Sequence, residues 1–143
     1  MPVQKGYPFD KELSYRAKGS AAVAASGYVG TQKDQGGAVL TEMVLVLNIE
    51  AIDVANGDEA YTFRVVGSQT PDRSDARVLA EYTVGDAAAK PIDTADDMAG
   101  EQHVIQFNTQ RAGYNQRYLD LRLDVAGTTP SITFSAFLSK KMG

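Results

Sequence analysis

From Arg117 to Ser139 the chain reads RYLDLRLDVAGTTPSITFSAFLS, with apolar and polar residues alternating almost without a break. Leu119, Leu121, Leu123 and Val125 share one parity, and Tyr118, Asp120, Arg122 and Asp124 share the other. Successive side chains of a strand point to opposite faces, so one set faces a core and the other faces water. After the small polar turn AGTTPS, Ile132, Phe134, Ala136 and Leu138 repeat the inward set, with Phe137 among Thr133, Ser135 and Ser139 on the outer side. Two such strands around a short turn predict a β-hairpin.

The same period recurs upstream. In VLTEMVLVLNIEAIDV, Met43, Leu45, Leu47 and Ile49 lie on one face, and Val44 and Val46 lie on the other. That predicts a strand buried on both faces at its start and on one face at its end. Its β-branched residues favour strand over helix. NGDE, Asn56 to Glu59, supplies a turn, because Asn-Gly tolerates positive φ. Tyr61, Phe63 and Val65 then alternate with Thr62 and Arg64, and TPDRSDA is a polar loop. In RVLAEYTV the inward set is Val78, Ala80, Tyr82 and Val84, and in QHVIQFNTQ it is Ile105 and Phe107. GDAAAKPIDTADDMAG is a long irregular link, and RAGYN is a tight loop.

Residues 1–38 are less regular. They are expected to form an N-terminal arm and a first weak strand packed on the same domain, with residues 39–143 forming a β-sandwich. Asp10 caps a short helix over KELSYRAK, or the segment is an extended arm. KGSAAVAASGYVGTQKDQGG suits a weak strand between loops, broken at Gly36-Gly37. Roughly seven or eight strands are predicted, with no long helical period, no βαβ alternation and no internal repeat. The expected fold is all-β: an antiparallel β-sandwich of jelly-roll type.

Composition narrows the function. A chain of 143 residues fits one domain. Without cysteine there are no disulfides, no thiolate metal sites and no thiol catalysis. With 18 acidic against 14 basic residues the formal net charge is −4. That is not the electrostatic footprint of a nucleic-acid binder. The start MPVQKGYPFDKELSY has no apolar signal core. AAVAASGYVG is too short to cross a bilayer. A soluble protein made in the cytoplasm is expected, with neither nucleic acid nor membrane as a partner.

Chemistry-bearing motifs are sparse. His103, in EQHVIQ, is the single histidine, and no G-x-S-x-G elbow accompanies it. It reads as an ordinary core or surface histidine. A multi-histidine metal cluster is excluded, while oxygen-only sites remain open. Neither Asp93, Asp96 and Asp97 of IDTADD nor the NGDE stretch matches an EF-hand loop. Both read as solvated loop carboxylates. No phosphate-cradling glycine motif occurs, and the absence of tryptophan takes weight from a lectin role. No catalytic residue, cofactor or metal is assigned, and an enzyme is not expected. Tyr7, Phe9 and Tyr15 fall within nine residues, which a disordered tail would not usually hold. With the outward Tyr118 and Phe137 they form a candidate interface.

Four stretches carry a resemblance to a known family: MVLVLNIEAI, YTFRVVGSQ, RVLAEYTV and the RYLDLRLDVAGTTPSITFSAFLS ending. Together they resemble the small jelly-roll cement, or decoration, proteins of tailed bacteriophage capsids. The resemblance implies a non-catalytic virion protein on the outer capsid surface. It also implies a homotrimer, with the major capsid protein as partner. A carbohydrate- or ligand-binding sandwich module is the alternative.

Overall fold

A computed structural model describes residues 11–90 and 95–140. A single 3-10 turn, Lys11–Leu13, precedes ten strands among these residues. They are β1 (Ser14–Arg16), β2 (Gly27–Asp34), β3 (Glu42–Ile52), β4 (Ala60–Ser68), β5 (Arg77–Gly85), β6 (Gln102–Asn108), β7 (Gln110–Arg111), β8 (Tyr114–Asn115), β9 (Tyr118–Ala126) and β10 (Ile132–Lys140). No described helix is long and apolar enough to cross a membrane.

Two four-stranded antiparallel sheets face each other, in the orders β1-β10-β3-β6 and β2-β9-β4-β5. Leaving aside the small β7–β8 hairpin, the eight long strands pair first with last, second with seventh, third with sixth and fourth with fifth. That wound pairing is the jelly roll, as expected. β1 and β2 are integral to the two sheets, so the start of the described chain belongs to the sandwich.

The inward parity read from the sequence fills the space between the sheets. Leu45, Leu47 and Ile49 of β3 meet Tyr61, Phe63 and Val65 of β4, Leu119, Leu121 and Leu123 of β9, and Ile132, Phe134 and Leu138 of β10. Each such side chain stabilises by about 1.5–3 kcal/mol when fully removed from water. Val44 and Val46 on the outer face of β3 are also buried, which bears out a strand covered on both sides at its start.

Three local expectations are corrected. β9 and β10 do not form a hairpin: β9 pairs with β2 and β4, while β10 pairs with β1 and β3. The turn between them carries the chain from one sheet to the other, so their apolar faces meet across the core rather than side by side. No helix extends over KELSYRAK. After one 3-10 turn the chain becomes extended, because pairing with the edge of β10 and burial of Tyr15 outweigh a thin apolar stripe. Asp10 lies outside the described residues. Finally, Val78 is exposed rather than inward. A register shift sets Val65 opposite Ala80 but Val66 opposite Val78, and Leu79 packs on the core instead. An extra residue of this kind re-aims the side chains beyond it.

Candidate functional site

One end of the sandwich gathers the loop before β3, the β7–β8 hairpin and the start of β5. Two fully buried polar side chains hold the first two together. The Thr109 hydroxyl donates to Val39 O at 2.7 Å and accepts from Thr41 N–H at 2.9 Å. Gln116 donates to Arg111 O and Tyr114 O, and its backbone N–H reaches Thr109 O at 2.7 Å. Gly67 leaves room for that glutamine: a Cβ there would stand 2.7 Å from Gln116 Cγ and 2.8 Å from Leu79 Cδ1. Ala112 and Gly113, with φ of 56° and 84°, make the tight primed turn of the hairpin.

This scaffold presents apolar side chains to solvent. Leu40 is 58% exposed, Val39 49%, Val78 41% and Tyr114 61%. β5 touches β7, which brings Val78 to the same end. A bidentate Arg117–Asp34 pair, at 2.8 and 3.1 Å, stands on the rim. Hydrogen bonds from Arg117 and the Gly36 N–H hold the Asp34 carboxyl below its ordinary value.

The candidate residues read from the sequence fall in different places. Tyr7 and Phe9 lie outside the described residues. Tyr15 is a core residue: it is buried and its hydroxyl donates to Leu119 O at 2.8 Å, so it is not part of an outer surface. Tyr118 is half-buried at the apolar end, under the Arg117 guanidinium. Phe137 is half-buried on the outer face of the other sheet, opposite Val46. Tyr118 and Phe137 therefore do not share a face, because their strands belong to opposite sheets. Val39, Leu40 and Tyr114 escaped the sequence reading, since Val39 and Leu40 lie in the loop before β3 and Tyr114 in the two-residue strand β8, too short for a period to mark.

The outer face of the β2-β9-β4-β5 sheet is a charge ladder. Arg64 pairs with Glu81 at 2.8 Å and with Asp124, and Arg122 pairs with Asp124 at 3.2 Å. Asp120, although outward in parity, is buried by Arg73 at 2.9 Å and Gln32 at 2.8 Å. Arg73 and Arg122 also flank the ring of Tyr28, at 4.1 and 5.2 Å from its centroid.

Asp58 and Asp96 are exposed, as expected of solvated loop carboxylates, but one carboxylate in each stretch is not. Glu59 of NGDE is fully buried and accepts the N–H groups of Asn56 and Asp58. Asp97 is buried against Lys90 at 2.8 Å, while Asp96 accepts from the Ala87 N–H. Asp93 lies outside the described residues. Asp97 comes close to Glu101 and His103, and these three are the described residues able to share an ion. Burial would raise the Asp97 carboxyl, but hydrogen bonds from Glu101, Lys90 and the Gly85 N–H hold it below its ordinary value. Burial and the neighbouring Asp97 push Glu101 the other way.

The described surface also carries open depressions. One of about 470 Å³ is lined by polar groups including Lys18, Asn48, Glu50, Glu101 and Ser135, and Glu50 Oε2 is buried there without a hydrogen-bond partner.

No protein-family model and no curated protein matches this sequence. Among solved structures the chain is similar to the Clostridium thermocellum N-terminal endo-1,4-β-D-xylanase 10B, CBM22-1-GH10 modules complexed with xylohexaose. The identity is 13% and the TM-score 0.40, over 92% of this chain and 26% of that chain. This chain thus spans about a quarter of that one.

Proposed function

We propose that this chain is a capsid cement protein. It binds the outer surface of a major capsid shell as a homotrimer and stabilises the shell through contact area, without catalysis. The observation that carries the proposal is the apolar end, with Val39, Leu40, Val78 and Tyr114 exposed on a scaffold fixed by Thr109 and Gln116. Clustered exposed apolar side chains rimmed by polar groups mark protein-binding surfaces. Modest contacts repeated over a symmetric shell add through avidity. Co-sedimentation with assembled capsids tests it: the protein is expected in the capsid pellet, and failure to pellet with any tailed-phage capsid overturns the proposal. Light scattering tests the trimer independently.

A second function, a carbohydrate- or ligand-binding module, draws on the polar depression and the unpartnered Glu50 Oε2. Saturable binding of a soluble glycan, lost in Asn48→Ala, would favour it over a cement.

A further inference from the structure

Between β5 and β6, where the two sheets are open at their edges, a histidine and two carboxylates converge. His103 Nε2 lies 2.9 Å from Glu101 Oε1 and 3.8 Å from Asp97 Oδ1, and one ligand atom from each residue lies within 4.8 Å of the others. Each carboxylate is anchored through its other oxygen. Asp97 Oδ2 accepts from Lys90 Nζ at 2.8 Å and from the Gly85 N–H at 2.9 Å. Glu101 Oε2 accepts from the Met98 N–H at 2.9 Å. Asp97 Oδ1 and Glu101 Oε1 lie on the side of the imidazole nitrogen, where Glu101 Oε1 shares a hydrogen bond with His103 Nε2 and the two carboxyl groups are hydrogen-bonded to each other. The ring of Tyr82, at 4.8 Å between centroids, backs the imidazole.

We propose that Asp97, Glu101 and His103 form a binding site for a divalent transition-metal cation of the Zn²⁺ class. The two separations from the imidazole nitrogen suit such an ion. Ligands about 2.0–2.1 Å from a tetrahedral Zn²⁺ stand about 3.3 Å from one another. The observed 2.9 and 3.8 Å lie on either side of that value. The donor set is mixed, one imidazole nitrogen and two carboxylate oxygens, which suits Zn²⁺ and its neighbours in the first transition row. Ca²⁺ requires six to eight oxygen ligands, and Mg²⁺ prefers an octahedral oxygen shell. Lys90 and the Gly85 and Met98 N–H groups orient the ligating carboxylates from behind, as outer-shell groups do in metal sites. Glu101 also lines the open depression beside Asn48 and Ser135. A bound ion joins the end of β5, through the Gly85–Asp97 contact, to the start of β6, so it closes that edge of the sandwich. The site is independent of capsid binding.

Thermal melting of the metal-free full chain tests the proposal, with Zn²⁺, Co²⁺, Ca²⁺ and Mg²⁺ added separately. Zn²⁺ and Co²⁺ are expected to raise the melting temperature, and Ca²⁺ and Mg²⁺ to leave it unchanged. Bound Co²⁺ is expected to show the visible absorption of a tetrahedral site. Glu101→Gln and His103→Gln are each expected to weaken Zn²⁺ binding at least about tenfold. Glu101 is partly exposed, so its variant carries the test if His103→Gln does not fold. With one histidine and no cysteine in the chain, Zn²⁺ affinity that survives both substitutions belongs to scattered surface carboxylates and overturns the proposal. The absence of any Zn²⁺ shift, or an equal shift with Ca²⁺, overturns it as well.

Discussion

Phe63 and Phe134 meet edge to face across the core, with ring centroids 4.9 Å apart and planes at 79°. Phe63 belongs to β4 and Phe134 to β10, so this contact joins the two sheets rather than two neighbours within one. Both side chains are fully buried.

Truncating either ring therefore loosens the whole sandwich. Phe63→Ala and Phe134→Ala are each expected to cost about 3–5 kcal/mol, from lost burial and the cavity left behind. A double-mutant cycle should return a coupling of about 0.5–1.5 kcal/mol, the range for a well-placed aromatic pair. Urea unfolding of the four proteins measures both quantities. Additive losses would mean that the rings contribute only as separate apolar volumes.

Tyr15 links the edge strand β1 to β9 through its hydroxyl. Burial, reinforced by the charge of Asp120, pushes that hydroxyl well above the ordinary tyrosine value. A raised folded-state pKa means that the folded protein keeps a proton that the unfolded chain loses above about pH 10. Stability from this group is complete below that pH and declines as pH rises above it. Tyr15→Phe is expected to cost about 1 kcal/mol at neutral pH, for the lost hydrogen bond. The gap between variant and wild type should narrow in alkaline urea melts. A gap that stays constant with pH would show that the phenol does not titrate differently in the two states.

The parity of β3, β4, β9 and β10 was legible because a period of two is a local property of the chain. Pairing was not, because it is decided by distant partners. β9 and β10 looked like a hairpin, with matched strands and a short turn, yet β10 finds β1 and β3 instead. The face of Val78 was lost to a single-residue register shift that no residue type announces. Glu59 and Asp97 were misread for the opposite reason. Their partners are backbone N–H groups and one buried lysine, none of which alters the polarity of the surrounding string. A signal for the mixed His–carboxylate cluster did exist, since Asp97, Glu101 and His103 fall within seven residues of DDMAGEQH.

Thr109 is the organiser of the apolar end, satisfying Val39 O and Thr41 N–H with one hydroxyl. Thr109→Val keeps the shape and deletes both bonds. Leaving two part-buried backbone groups without this partner is expected to cost about 1 kcal/mol. The loss should be concentrated locally. Amide exchange at Thr41 is expected to accelerate more than exchange within β4 or β9. Uniform acceleration would mean that the threonine supports the global core instead.

Leu40 and Tyr114 stand out from that end and touch little of their own chain, so charge there should leave the fold intact. Leu40→Asp and Tyr114→Asp are each expected to change stability by no more than about 0.5 kcal/mol, as is usual at exposed positions. If the end docks on a capsid, each substitution places a charge in an apolar contact. A loss of about 2 kcal/mol, the scale of an interface hot spot, weakens binding roughly 30-fold. Co-sedimentation at graded protein concentration reads that change directly. The charge ladder on the outer face of the β2-β9-β4-β5 sheet provides the contrast. Arg64→Ala disrupts the pairs with Glu81 and Asp124 in the middle of that face and is expected to leave capsid binding near wild type. Strong loss in Arg64→Ala alongside normal binding by Leu40→Asp would move the contact from the end of the sandwich to its charged face.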